Sequence, residues 1–90
     1  MTYWLIKSEP EAYSLEDFQR EKVTRWDGVR NYQARNNLRA MQIGDICIFY
    51  RSVTKPAAIA LGRVAREHYA DPTATDGDWS AVDVEFVEVF

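Results

Sequence analysis

The sequence predicts an α+β domain in which a small curved sheet or open barrel carries short helices at one side, between its first and second strands. Three observations support this. A short apolar run, YWLIKS at residues 3–8, is closed by polar residues and Pro10, as at the end of a strand. Residues 14–41 then show a capping signal and a helical period. Beyond residue 45 three successive segments have the composition and alternation of strands.

Taken in order, the first strand runs out into a turn at SEP. Ser14, followed three residues later by Asp17, has the spacing of a capping box, and LEDFQREK continues as one or two mostly exposed helical turns. VTRWDGV carries a DG turn signal. From Arg30 to Met41, the apolar residues Ala34, Leu38 and Met41 fall at i, i+4 and i+7, which predicts a second helix with Gly44 shortly beyond it as a stop. In DICIFYR, Ile46, Ile48 and Tyr50 alternate with Cys47 and Phe49. Both faces are apolar, so this strand is expected to be central in a closed or covered sheet. IALGRVARE reads as the next strand, with Gly62 in its middle a candidate bulge or bend. YADPTATDGDW is a loop. AVDVEFVEVF alternates Val82, Val84 and Phe86 against Asp83 and Glu85 and stays strand-like to the last residue. That end predicts either an exposed edge or the absence of residues that would cover it, and it admits a homodimer or a partner chain on the C-terminal strand.

Ninety residues bound the chain to one domain with one core. With 47% hydrophobic and 28% charged residues it falls among globular chains and outside the disordered and fibrous classes. MTYWLIKSEPEAY shows no basic region followed by an apolar one, and no later run approaches membrane-spanning length, which predicts a cytoplasmic protein with no membrane partner. The single cysteine, Cys47, has no disulfide partner and no CxxC spacing, and is read as a small core residue. Net charge is −3, but unevenly spread: all 11 Lys and Arg lie in residues 1–68, while residues 69–90 hold only acidic charges. This permits a locally positive site, not a broad basic groove, so nucleic-acid binding would depend on a pocket more than on backbone electrostatics.

The densest chemistry is in WDGVRNYQARN, residues 26–36. Trp26 offers a flat surface beside the slim Asp27-Gly28 turn, either as one wall of a base-sized cleft or as a core aromatic pinning the turn. Arg30 is a candidate for phosphate or stacking contacts. Asn31 opens the second helix, where its amide can cap the N-terminus or read a base edge. Arg35 and Arg39 flank the apolar stripe, where they either track a phosphate backbone or pair with acidic neighbours. Lys7 and Ser8 end the first strand, at the place where side chains reach past a sheet; otherwise they are a solvated strand end and a turn cap. Glu9 either accepts from an exocyclic amine or pairs with an arginine. Tyr50, Arg51 and Ser52 close the central strand, where Arg51 is an anion contact or an edge charge facing water.

YWLIKSEPEAYS, WDGVRNYQARNNLRAMQIGDICIFYRS and WSAVDVEFVE together resemble the EVE domain, of the PUA-like superfamily, over nearly the whole of residues 1–90. The resemblance implies a PUA-like pseudo-barrel, a curved and mostly antiparallel sheet with flanking helices. It further implies a non-catalytic module that reads a modified nucleobase in DNA or RNA, as related YTH and SRA-type readers do. The implied pocket lies where KSEP, WDGVRN and FYRS meet, with Lys7, Ser8, Glu9, Trp26, Val29, Arg30, Asn31, Arg35, Asn36, Tyr50, Arg51 and Ser52 as its ligand-binding residues and no metal or cofactor. Arg51 stands where the family commonly has histidine. Family members usually continue beyond VDVEFVE, so a domain shortened at its C-terminus is expected.

Two other functions fit the residues. Glu9 and Asp27 would make an acid–base pair for a glycosylase- or nuclease-like enzyme if the fold brought them together. His68, the only histidine, has no nucleophile motif beside it, and no GxGxxG, Walker or HExxH pattern occurs. A protein-interaction module pairing through the C-terminal strand is the third class.

Overall fold

The structure, a computed structural model, describes residues 2–9, 13–52 and 55–90. In chain order the elements are β1 (Tyr3–Ser8), α1 (Leu15–Glu21), β2 (Val23–Trp26), α2 (Tyr32–Ala40), β3 (Ile46–Arg51), β4 (Ala57–Ala70) and β5 (Ser80–Val89). The strands form one sheet in the order β1-β3-β4-β5-β2. Only the β1–β3 pair is parallel, so the sheet is mostly antiparallel. Pro10, in the turn expected after β1, lies outside the described residues.

The expected element order needs one correction: a strand, β2, separates the two helices. VTRW is only four residues long, and Thr24, one of its two inward residues, is polar although buried. Its alternation is therefore too short and too polar to stand out beside the DG turn signal.

α1 begins with the expected capping box. Ser14 Oγ accepts from the Asp17 N–H and Asp17 Oδ2 accepts from the Ser14 N–H, each at 3.1 Å. The short helix is fixed by tertiary packing, since a helix of two turns is marginal alone. Its Phe18 is fully buried, stacked on Phe49 at 5.3 Å between ring centroids and edge-on to Phe86 at 5.4 Å. The same ring explains Gly62 in β4. A Cβ there would stand 3.1 Å from Phe18 Cζ, 2.9 Å from Val84 Cγ1 and 3.0 Å from the Glu85 carbonyl oxygen. The β4–β5 register shifts between Leu61 and Gly62, so the glycine also marks the expected irregularity.

α2 contributes Leu38, with Met41 just past its end, to a core that also holds Ile6, Cys47, Phe49, Ala60, Val64, Val82 and Val84. Cys47 is fully buried, and burial, with Asp45 nearby, pushes its thiol up to about 12, so it stays protonated at neutral pH. At the end of β5, Val87, Val89 and Phe90 are exposed. Among the described residues no helix is long and apolar enough to cross a membrane.

Candidate functional site

β1 and β2 are the two edges of the sheet, yet residues of both line the same hollow. The sheet curls until its edges face one another without pairing, and the gap is filled from the side by the turn after β2 and by α2. Two cavities occupy it. One, of about 450 Å³, lies between β1 and α2. The other, of about 400 Å³, lies between the end of β1 and residues 24–29. Lys7, Trp26 and Val29 line both.

Trp26 both packs into the core and lines the two cavities. Its indole is edge-on to Tyr13 at 5.8 Å and to Phe49 at 5.9 Å, which anchors it to the core, and it is only half-buried, so the rest lines the two cavities. Lys7 is exposed at the end of β1. Ser8 Oγ donates to the Tyr13 carbonyl at 2.9 Å, and the Ser8 carbonyl accepts from the Ser52 N–H at 3.1 Å, so Ser52 ties the ends of β1 and β3 together. Glu9 is exposed on the smaller cavity, and among the described residues it forms no ion pair. Asp27 lines that cavity too, with its carboxylate held by Arg25 Nε at 2.7 Å. Asn31 caps α2, its Oδ1 accepting from the Ala34 N–H at 2.9 Å, and also lines the larger cavity.

The other predicted residues lie elsewhere. Arg30 turns away from the cavities to Asp71, at 3.0 Å, with its guanidinium 5.6 Å from the Trp79 ring centroid. Arg35 and Asn36 are on the far side of α2, where Asn36 Oδ1 accepts from Arg35. Arg39 pairs with Asp78 at 2.7 Å. Tyr50 is half-buried in β3, opposite Lys7 and Ala58. Arg51 donates to the Lys55 carbonyl and lines a third hollow of about 110 Å³ beside Ser8 and Tyr13. His68 is exposed on β4.

Four residues of this region were not singled out from the sequence. Gln33 and Asn37 line the larger cavity; their i, i+4 spacing beside the Ala34-Leu38-Met41 stripe was the available signal. Trp4 lines the same cavity, its indole N–H donating to Asp45 at 2.9 Å. Asp71, in the β4–β5 loop, is the most connected. Its buried carboxylate accepts from the Gly28 N–H at 2.8 Å, from Arg30, and from the N–H and hydroxyl of Thr73. Burial alone would raise this carboxyl, but those donors together outweigh it and hold it well below the usual carboxylate range. Asp71 thus fixes the turn that carries Trp26 and Val29 from the side opposite the cavities.

The family model of the EVE domain matches residues 2–90. The chain belongs to the EVE domain family. This EVE domain is 41% identical over 113 residues to thymocyte nuclear protein 1 of Mus musculus, a match covering 97% of this chain and 50% of that protein. It is 45% identical to a protein of known crystal structure from Pseudomonas syringae, with a TM-score of 0.91, covering 99% of this chain and 70% of that one. A crystal structure of human THYN1 protein, in complex with DNA containing 5-methylcytosine, is 38% identical, with a TM-score of 0.88, and is matched over 67% of its length by 99% of this chain. The fold is therefore α+β and PUA-like, and the chain spans about half the length of the curated relatives it matches. Since 113 residues of the mouse protein align with 97% of a ninety-residue chain, that relative also carries residues inside the matched span that this EVE domain lacks.

Proposed function

We propose that this EVE domain is a non-catalytic module that reads a modified base in DNA or RNA, taking the base into the cavities between β1 and β2. The observation that carries the reading is the half-buried Trp26, anchored edge-on in the core and lining both cavities, with Lys7 beside it. A base held out of its stack needs a flat apolar surface and donors and acceptors for its edge. Trp26 and Val29 supply the first. Lys7, Ser8, Glu9 and Asn31 supply the second. The crystal structure of human THYN1 protein with 5-methylcytosine DNA supports a nucleic-acid ligand and makes 5-methylcytosine the first base to test. Arg30, Tyr50, Arg51 and Ser52 serve in this reading as supports of the walls, and Arg35 and Asn36 lie beyond them. Imaging of the tagged protein distinguishes the cytoplasmic location expected from the sequence from the nuclear one that the name of its thymocyte relatives suggests.

Titration with short strands that differ only in carrying cytosine or 5-methylcytosine tests the reading. Saturable binding should favour the methylated strand, and Trp26→Ala, shown to be folded by circular dichroism, should weaken it by roughly 5- to 100-fold, as expected for one stacked base. Lys7→Ala, on an exposed side chain, repeats the test without touching the core. Equal affinity for both strands would reject a modified-base reader, and release of a base or cleavage of the strand with turnover would point to the Glu9–Asp27 enzyme instead.

A further inference from the structure

On the face of α2 turned away from the cavities, Tyr32 stacks on Trp79 of the β4–β5 loop, with ring centroids 5.1 Å apart and planes inclined by 19°. Tyr32 is nonetheless 66% exposed. The position of Arg35 shows which surface is open. Its guanidinium lies 5.0 Å from the Tyr32 centroid and 5.9 Å from that of Trp79. A group covering the far face of Tyr32 would stand about twice as far from the indole as Tyr32 does, so Arg35 lies over the rings from the same side of Tyr32 as Trp79 and does not cover the outer face of Tyr32. The neighbouring cations differ from it: Arg30 and Arg39 are neutralised by Asp71 and Asp78, while the hydrogen bonds of Arg35 go to the neutral Asn36 side chain and the Asp78 carbonyl. The result is an open aromatic face with a positive planar group at its side. Bases stack on such faces regardless of sequence, and phosphates pair with such guanidinium groups. The platform also continues the candidate site, because Tyr32 directly follows Asn31, which lines the larger cavity.

We propose that Tyr32 and Arg35 form a second contact for single-stranded nucleic acid: a nucleotide flanking the one in the cavity stacks its base on the open face of Tyr32 and sets its phosphate against Arg35. This rests on the base-reading function above. The test is a cycle on both partners. The ligand is a five-nucleotide strand with a central 5-methylcytosine, its flanking bases either present or replaced by abasic sites; the proteins are the wild type, Tyr32→Ala and Tyr32→Phe. With flanking bases present, Tyr32→Ala should weaken binding by roughly 5- to 100-fold and Tyr32→Phe should bind like the wild type. Abasic flanks should weaken the wild type by a similar factor and Tyr32→Ala hardly further, which is the signature of two groups acting on each other. Unchanged binding in Tyr32→Ala, or an equal loss on both strands, would overturn the platform, as would a wild type that binds neither strand. If instead the platform cycle holds but methylated and plain strands bind alike, the second contact stands and the reading of a modified base falls.

Discussion

Truncating Phe18 to alanine should remove much of this domain's stability. Phe18 is fully buried, stacked on Phe49 and edge-on to Phe86, and it fills the space that Gly62 leaves over β4. Loss of a buried phenylalanine costs about 3–5 kcal/mol through lost transfer energy and the cavity left behind. Stability of about 0.05–0.15 kcal/mol per residue gives a chain of this size roughly 4–14 kcal/mol in total, so the loss removes a large share of it. Phe18 is the one fully buried residue of the seven-residue α1, with Leu15 partly buried against the same core. A thermal melt followed by circular dichroism should shift down by more than about 10 °C, whereas Gln19→Ala, on an exposed neighbour, should melt with the wild type. A Phe18→Ala melt close to that of the wild type would mean that the core does not depend on α1.

Replacing Asp71 by alanine should be nearly as costly and should loosen the site as well. The carboxylate collects four donors, two from the turn beside the cavities and two from its own loop. Its removal leaves the Gly28 N–H without its acceptor and Arg30 without its ion-pair partner, at about 2–4 kcal/mol, toward the lower end because Arg30 is itself partly in water. Titration gives the same residue a second signature. The folded carboxyl is held below its unfolded value of about 3.9, so its contribution is fully present above that value and is lost as pH falls through it toward the folded value. Urea unfolding at pH 7 and pH 3 should therefore show a large gap between wild type and Asp71→Asn at pH 7 that narrows at pH 3. A gap of constant size would show that the ionised carboxylate contributes nothing special.

The elements that the sequence made legible are those with long periods or local chemistry. The Ser14–Asp17 box, the Ala34-Leu38-Met41 stripe and the alternation of β3 and β5 each lie within one segment, and all appear in the structure. β2 stayed hidden because four residues cannot establish a period when the buried one is a threonine. Trp26 was legible as an aromatic beside a slim turn, and its one indole packs against Tyr13 and Phe49 while also lining the two cavities. The role of Arg30 was not legible. An arginine next to a candidate cleft invites a ligand contact, but its partner is a carboxylate 41 positions away, and nothing local in YADPTATDGDW marks Asp71 as buried. A similarly long separation hid the Tyr32–Trp79 stack.

The most direct test of a base held between β1 and β2 is a proton–nitrogen correlation spectrum of the labelled domain, titrated with a short strand carrying one 5-methylcytosine. Saturable shifts are expected at the Trp26 indole N–H and at the Lys7, Ser8 and Gly28 amides, larger than those caused by the plain-cytosine strand. A folded spectrum in which these four signals stay in place at saturating strand would contradict that placement of the base.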